Sequence, residues 1–256
     1  MTDYAMARRV FACIDNTTLN GTDTRTSVEV FCRRTLAMAL DDGTRVAAVC
    51  VYPRFAGVAR RVLEGSGVKV ATVAGAFPHG QLPLELKVAE VHRAVEEGAD
   101  EVDVVINRGL LLDGDEDGVR DEVARMKEAC AGRRMKVILE TGELPSPTLT
   151  ARAAQLAIEG GADFVKTSTG KIAAGATLEA AATMLNVVKE NVKINKKTIG
   201  FKAAGGISTP EEAVEYALEA KKMMGDEYVN NQTFRIGASR LTERLFAFLT
   251  FQSAAN

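Results

Sequence analysis

A chain of 256 residues is long enough for one large core, and a composition 46% hydrophobic and 26% charged excludes a disordered or fibrous protein. The net charge of −2 offers no basic surface for nucleic acid, and no apolar run approaches the roughly 20 residues that span a bilayer. Four scattered cysteines (Cys13, Cys32, Cys50, Cys130) with no Cys-x-x-Cys pair, and only two histidines (His79, His92), argue against a zinc site and His-cluster chemistry.

In chain order, Met1–Val10 is polar and charged throughout, so no secretory leader is expected and the reading is a cytoplasmic protein with reduced thiols. Short apolar, β-branched runs then recur at Val10–Ile14, Arg45–Val51, Lys69–Ala74, Glu101–Ile106, Lys136–Glu140, Phe164–Thr167, Thr198–Lys202 and Thr233–Gly237. Their spacing, about 30 residues, is the length of one βα unit. Most are apolar on both faces, as strands of a covered parallel sheet are.

Helical patterns fill the gaps. Thr22–Thr24 offers caps for a helix to about Leu40, and Pro53 and Pro83 open helices ending near Gly65 and Gly98. Asp113–Asp117 opens one through Cys130, Ser146-Pro147 one ending at Gly160-Gly161, and Thr177 precedes Leu178–Asn191. Ser208-Thr209-Pro210-Glu211-Glu212 is the clearest helix start, and a last helix runs from Ser239 to about Phe251. Strands alternating with helices, without a linker, predict a single (β/α)8 TIM barrel over residues 1–256, with Gln252–Asn256 as a frayed tail. An open doubly wound sheet is the rival, but no Gly-x-Gly-x-x-Gly follows the first strand.

The chemistry centres on Phe164-Val165-Lys166-Thr167-Ser168-Thr169-Gly170-Lys171, where a lysine sits inside an apolar strand. A buried, unpaired ammonium tends to lose its proton, and a neutral lysine attacks carbonyls. Asp103 and Lys202 are the other ionisable residues read amid apolar strand neighbours. Gly98-Ala99-Asp100-Glu101-Val102-Asp103 echoes Gly161-Ala162-Asp163-Phe164-Val165-Lys166, which points Asp103 and Lys166 into one cavity if the two units are built alike. Lys202 lies on the strand after Lys166, so two close amines repel and one gives up its proton; a structural Asp–Lys plug is the alternative.

Three glycine-bearing turns follow the last strands: Thr169-Gly170-Lys171, Gly205-Gly206 and Gly237-Ala238-Ser239. Such loops in such barrels bind phosphate, so a phosphorylated substrate is expected. Cys50 reads as a packed thiol or a cavity residue, His79 as a turn residue, and Glu140 as lining the mouth or holding a loop. Asp15 and Thr17 read as a polar rim or substrate contacts.

Ile14–Asn20, Val51–Phe55, Phe77–Gly80, Gly98–Val105, Glu140–Leu144, Gly161–Lys171, Gly200–Lys202 and Arg235–Ser239, in one order over nearly the whole chain, resemble deoxyribose-phosphate aldolases, class I aldolases with a TIM-barrel fold. The resemblance implies that Lys166 forms the Schiff base, that Lys202 perturbs it, and that Asp103 is the acid–base group. It places phosphate contacts at Gly170, Lys171, Gly205, Gly206, Gly237 and Ser239; Thr17 and Thr169 are expected as further substrate-binding residues. It implies reversible cleavage of 2-deoxy-D-ribose 5-phosphate to acetaldehyde and D-glyceraldehyde 3-phosphate, with no metal and no cofactor; a homo-oligomer such as a dimer is the assembly allowed for. Three departures stand out: Ala203 replaces the usual proline, Arg240 replaces a serine, and no tyrosine lies beyond Tyr228. They motivate the alternative of an aldolase-like barrel acting mainly as a binding or scaffold protein.

Overall fold

The computed structural model describes residues 3–254. Eight parallel strands close into a barrel in sequence order: β1 (Ile14–Thr17), β2 (Ala48–Val51), β3 (Lys69–Ala74), β4 (Glu101–Val105), β5 (Arg134–Ile138), β6 (Phe164–Lys166), β7 (Gly200–Ala204) and β8 (Phe234–Ala238), which pairs back onto β1. Helix α1 (Tyr4–Phe11) precedes the first strand. The crossovers carry α2 (Arg25–Ala37), α3 (Ala56–Leu63), α4 (Leu84–Glu96), the pair α5 (Arg108–Leu112) and α6 (Glu116–Ala129), α7 (Pro147–Glu159), α8 (Leu178–Asn195) and α9 (Pro210–Met224); α10 (Leu241–Ala254) closes the chain. The fold is the (β/α)8 barrel expected from the repeat.

The helix starts follow the capping chemistry read from the sequence. Thr24, Ser146, Thr177 and Thr209 each accept a hydrogen bond from a backbone N–H in the first turn, at the starts of α2, α7, α8 and α9. At α9 the Glu212 side chain returns the bond to the Thr209 N–H at 3.0 Å, completing a capping box.

Three expectations are corrected. Val10 and Phe11 are not strand: they end α1, which buries Met6, Ala7, Val10 and Phe11 on one face. That spacing is a helical stripe, and it packs α1 against α9 and α10. The first strand instead runs through the polar residues Asp15, Asn16 and Thr17, whose side chains gave no apolar signal. Second, α5 was not anticipated; Asn107 caps it, accepting from the Gly109 N–H at 2.9 Å. Third, α10 continues through residues 252–254, where fraying was expected, while Ala255 and Asn256 lie outside the described residues. Elsewhere strand bounds shift by up to three residues: β2 starts at Ala48, β5 begins and ends two residues early, and β7 reaches Ala204.

The outer faces of the strands and the inner faces of the helices form one large apolar core. A smaller apolar cluster, Leu19, Ala48, Cys50, Ala71 and Val73, fills the barrel interior beside β2 and β3. The rest of the interior carries an ionic cluster, with Val105, Ile138 and Phe164 on the same strand faces as Asp103, Lys136 and Lys166. Among the described residues no helix is long and apolar enough to cross a membrane.

Candidate active site

Side chains two residues apart on a strand face the same side, so the pleat decides what enters the barrel. Glu101 and Asp103 of β4 enter together. Lys136 of β5, Lys166 of β6, Lys202 of β7, Arg235 of β8 and Asp15 of β1 meet them there, and all of these residues are buried. Asp103 is register partner to Lys136, Lys166 to Lys202, and Lys202 to Arg235. The sequence reading had found Asp103, Lys166 and Lys202. It missed Lys136, which is flanked by Met135 and Val137, and it missed the period-two pairing of Glu101 with Asp103.

The echo between two units is a shared turn. Ala99 N–H bonds to the Ala94 carbonyl at 3.1 Å, and Ala162 N–H to the Ala157 carbonyl at 3.0 Å. Asp100 accepts from the Val70 N–H at 2.9 Å, and Asp163 from the Met135 N–H at 2.8 Å. The two units therefore deliver Asp103 and Lys166 into one space, where Nζ of Lys166 lies 2.8 Å from Oδ2 of Asp103.

The ion pairs divide unequally. Lys136 touches three carboxylates: Glu101 at 2.6 Å, Asp103 at 2.8 Å and Asp15 at 3.4 Å. Arg235 binds Asp15 at 2.5 Å and Glu101 at 2.8 Å. Lys202 pairs with Asp15 and, at 2.8 Å, with Oδ2 of Asp103. Lys166 has Asp103 alone, through the oxygen that Lys202 also uses. Fully ionised, the cluster would hold three negative charges (Asp15, Glu101, Asp103) against four positive ones (Lys136, Lys166, Lys202, Arg235). A surplus buried charge is expensive, and a lysine relieves it by giving up its proton. The amine with fewest carboxylates is the one to do so.

The titration directions agree. Burial lowers the Lys166 amine below the usual lysine range, against the pull of Asp103 and with help from Lys202. Burial also disfavours a charged Lys202, but Asp103 and Asp15 outweigh it and hold that amine above the usual range. Lys136 is raised, its three carboxylates overcoming burial. Asp15, Glu101 and Asp103 are buried too, yet their cationic neighbours hold all of them low.

Above the cluster opens a cavity of about 290 Å³, with Lys166 in its wall. Thr17, Thr169, Gly170, Lys171, Gly205, Gly206, Gly237 and Ser239 line it, so every expected substrate contact borders one space; Arg240 lines it as well. Asp103 and Lys202 sit behind the wall. Gly237 has a second duty, since a Cβ there would stand 2.9 Å from Cε of Lys202. Lys171 Nζ donates to the Leu19 carbonyl, joining the loop after β6 to the loop after β1.

Other expected positions are settled. Asp15 is not at a rim; it is fully buried in the ionic cluster. Cys50 packs in the apolar cluster, and burial pushes its thiol up to about 11. His79 is an exposed turn residue, its N–H bonding to the Ala76 carbonyl at 3.0 Å. Glu140 holds the loop after β6, accepting from the Thr169 N–H at 3.2 Å and from its hydroxyl. Ala203 is fully buried, and the end of its strand is tied by Thr167, whose Oγ1 accepts from the Ala204 N–H at 3.0 Å and donates to the Ala204 carbonyl at 3.1 Å. Losing the proline therefore leaves the strand end anchored.

Residues 9–240 match the family model described as DeoC/LacD family aldolase. A Caenorhabditis elegans protein, provisionally named a deoxyribose-phosphate aldolase, is 42% identical over 239 residues, covering 92% of this chain and 79% of its own length. A Coccidioides immitis crystal structure with the same provisional name superposes with a TM-score of 0.81 at 29% identity, covering 94% of this chain and 86% of that one. The tetrameric deoxyribose phosphate aldolase of Aeropyrum pernix superposes with a TM-score of 0.75 at 28% identity, over 97% and 93% of the two chains. The chain belongs to the DeoC/LacD family of aldolases.

Proposed function

We propose that the chain is a class I deoxyribose-phosphate aldolase that uses Lys166 as its Schiff-base nucleophile. The observation that carries this reading is the unequal sharing of carboxylates, which leaves Lys166, at the cavity wall, as the amine of the cluster held below the usual lysine range. The names of the relatives support the substrate, 2-deoxy-D-ribose 5-phosphate.

In this reading Nζ of Lys166 adds to the C1 aldehyde, and loss of water gives an iminium. The 3-hydroxyl gives up its proton, the C2–C3 bond breaks, and its electron pair passes into the iminium to form an enamine. D-Glyceraldehyde 3-phosphate leaves. Protonation of the enamine at C2 and hydrolysis then release acetaldehyde and restore the amine. Asp103, shared by Lys166 and Lys202, is placed to move these protons through a water. The iminium is itself the electron sink, so the reading needs no metal or cofactor. Thr17, Thr169, Gly170, Lys171, Gly205, Gly206, Gly237 and Ser239 hold the sugar phosphate, with Arg240 adding charge.

A homo-oligomer, as in the tetrameric Aeropyrum pernix relative, and a cytoplasmic location complete the proposal. No feature of the site favours the scaffold alternative. The test is steady-state cleavage of 2-deoxyribose 5-phosphate with NADH-coupled detection of glyceraldehyde 3-phosphate. Wild-type turnover that vanishes in Lys166→Ala, with a borohydride adduct at Lys166 in the wild type, is the expected result. A folded wild type that neither turns over nor forms the adduct overturns the proposal.

A further inference from the structure

Glu140 is a buried carboxylate with no ion-paired cation among the described residues. It stands just past β5, fully buried, on left-handed backbone (φ 55°, ψ 60°) that a non-glycine residue rarely adopts. The hydrogen-bond partners of its carboxylate among the described residues lie on Thr169: the N–H at 3.2 Å and 3.4 Å from its two oxygens, and the hydroxyl. A carboxylate near an anion-binding loop repels the anion, so charge does not explain its place there. The bonds do.

Thr169 is the hub of its loop. With its hydroxyl proton committed to Glu140, its oxygen accepts from the Lys171 N–H at 3.1 Å. Thr141 N–H bonds to the Thr167 carbonyl at 3.0 Å, a second tie between the turn after β5 and this loop. The far end of the loop rests on the turn after β7: Ala176 N–H bonds to the Gly205 carbonyl at 3.0 Å, and a Cβ on Gly175 would stand 2.3 Å from that carbonyl oxygen. Gly170, Lys171 and Gly205 all line the cavity, whereas Glu140 does not. Among the described residues no side-chain hydrogen bond or ion pair joins Glu140 to the ionic cluster around Lys166; the tie there is backbone, from the Leu139 N–H to the Lys166 carbonyl at 3.0 Å.

We propose that Glu140 is a positioning residue for the phosphate end of the cavity, latching the loop after β6 through Thr169 and, through that loop, the turn after β7. This rests on the sugar-phosphate reading above and assigns it a residue outside the cavity. The latch acts on recognition of the phosphate and leaves the lysine chemistry alone.

The experiment compares wild type with Glu140→Gln, which keeps the shape but replaces one acceptor oxygen with a donor. Three readouts are taken: steady-state kinetics on 2-deoxyribose 5-phosphate, kinetics on unphosphorylated 2-deoxyribose, and calorimetric binding of inorganic phosphate. The expected result is a KM for the phosphorylated sugar raised about tenfold with kcat within about twofold, kcat/KM on the unphosphorylated sugar unchanged, and phosphate binding weakened about tenfold, a shift of about 1.4 kcal/mol. An equal loss on both sugars would mean general loosening and overturn the proposal, as would unchanged or tighter phosphate binding. If Glu140→Gln does not fold, Glu140→Asp withdraws the carboxylate from Thr169 while keeping its charge and must show the same selective loss; an equal loss on both sugars from it overturns the proposal too. Failure of the function itself looks different. A wild type that binds phosphate but forms no borohydride adduct at Lys166 with acetaldehyde sinks the aldolase reading, and the phosphate measurement still decides the latch.

Discussion

The floor and the mouth of the barrel both hold buried lysines, and the two are treated in opposite ways. On the floor, Lys136 is fully buried and ringed by Asp15, Glu101 and Asp103. At the mouth, two residues further along the adjacent strand pairing, Lys166 shares a single oxygen of Asp103 with Lys202. Burial pushes both amines toward neutrality; the number of carboxylates in reach decides the outcome, raising one and lowering the other. A buried lysine is therefore no signature of reactivity. What marks Lys166 is that the cluster's negative charge is already spent on its neighbours.

The sharpest way to break this comparison is Lys136→Met. Glu101 would keep Arg235 and Arg134, and Asp103 would be left with only Lys202 and Lys166, so it draws harder on Lys166. Removing one partner of a buried ionic cluster costs about 3–5 kcal/mol. Denaturant unfolding should show that loss, and the rise of activity with pH should move to higher pH, because the nucleophile must first lose a more tightly held proton. An unmoved pH profile would show that the floor does not govern the mouth.

The second effect concerns acid. Asp15, Glu101 and Asp103 are lowered by the fold, so their contribution to stability is present above their unfolded values, near 4, and is lost as pH falls toward their folded ones. The raised Lys136 and Lys202 contribute below their unfolded values, near 10.4, and lose it as pH climbs through their folded ones. Thermal melts across pH should show a fall below about pH 4 that is shallower in Asp15→Asn, and a rise in stability as pH climbs from the lowered Lys166 value toward about 10.4, absent in Lys166→Met.

Asp15→Asn also sharpens the mouth in the opposite sense to Lys136→Met. With one carboxylate fewer, Lys202 and Lys136 draw harder on Asp103, and the Lys166 proton is held more weakly. The alkaline rise of activity should move down by up to about one pH unit, or 1.4 kcal/mol. The smallest effect belongs to the apolar side of the interior. Cys50→Ala should cost about 1 kcal/mol in a denaturant melt and leave the pH profile where it was, since its thiol is protonated, pushed up to about 11.

Much of this was legible before any coordinates. The repeat length gave the barrel, and the glycine turns gave the rim of the cavity. Asp103 stood out because Val102 and Val104 flank it, and Lys166 because it follows the apolar pair Phe164-Val165 in a strand run. The floor was harder to read. Asp15 lies among Asn16 and Thr17, so its strand carried no apolar pattern, and α1 offered Val10 and Phe11 as a false one. Lys136 carried the same signal as Asp103 and was passed over because it opened the expected strand, where a charge is ordinary. Arg235 and Glu101 likewise stand near strand starts, and only closure of β8 onto β1 brings Arg235 to Asp15. Glu140 looks like a strand-end residue in sequence; its bond to Thr169 depends on two loops that sequence alone does not bring together.

The central claim is that Lys166 is the one amine of the cluster lowered by its surroundings, and the direct test is a titration of lysine side chains labelled at the ε carbon, followed by NMR and assigned by substitution at Lys136, Lys166 and Lys202. The account predicts that Lys166 loses its proton below the usual value near 10.4, while Lys136 and Lys202 stay protonated above it. A Lys166 signal that titrates at or above the usual value, or a Lys202 signal that titrates below that of Lys166, would contradict it.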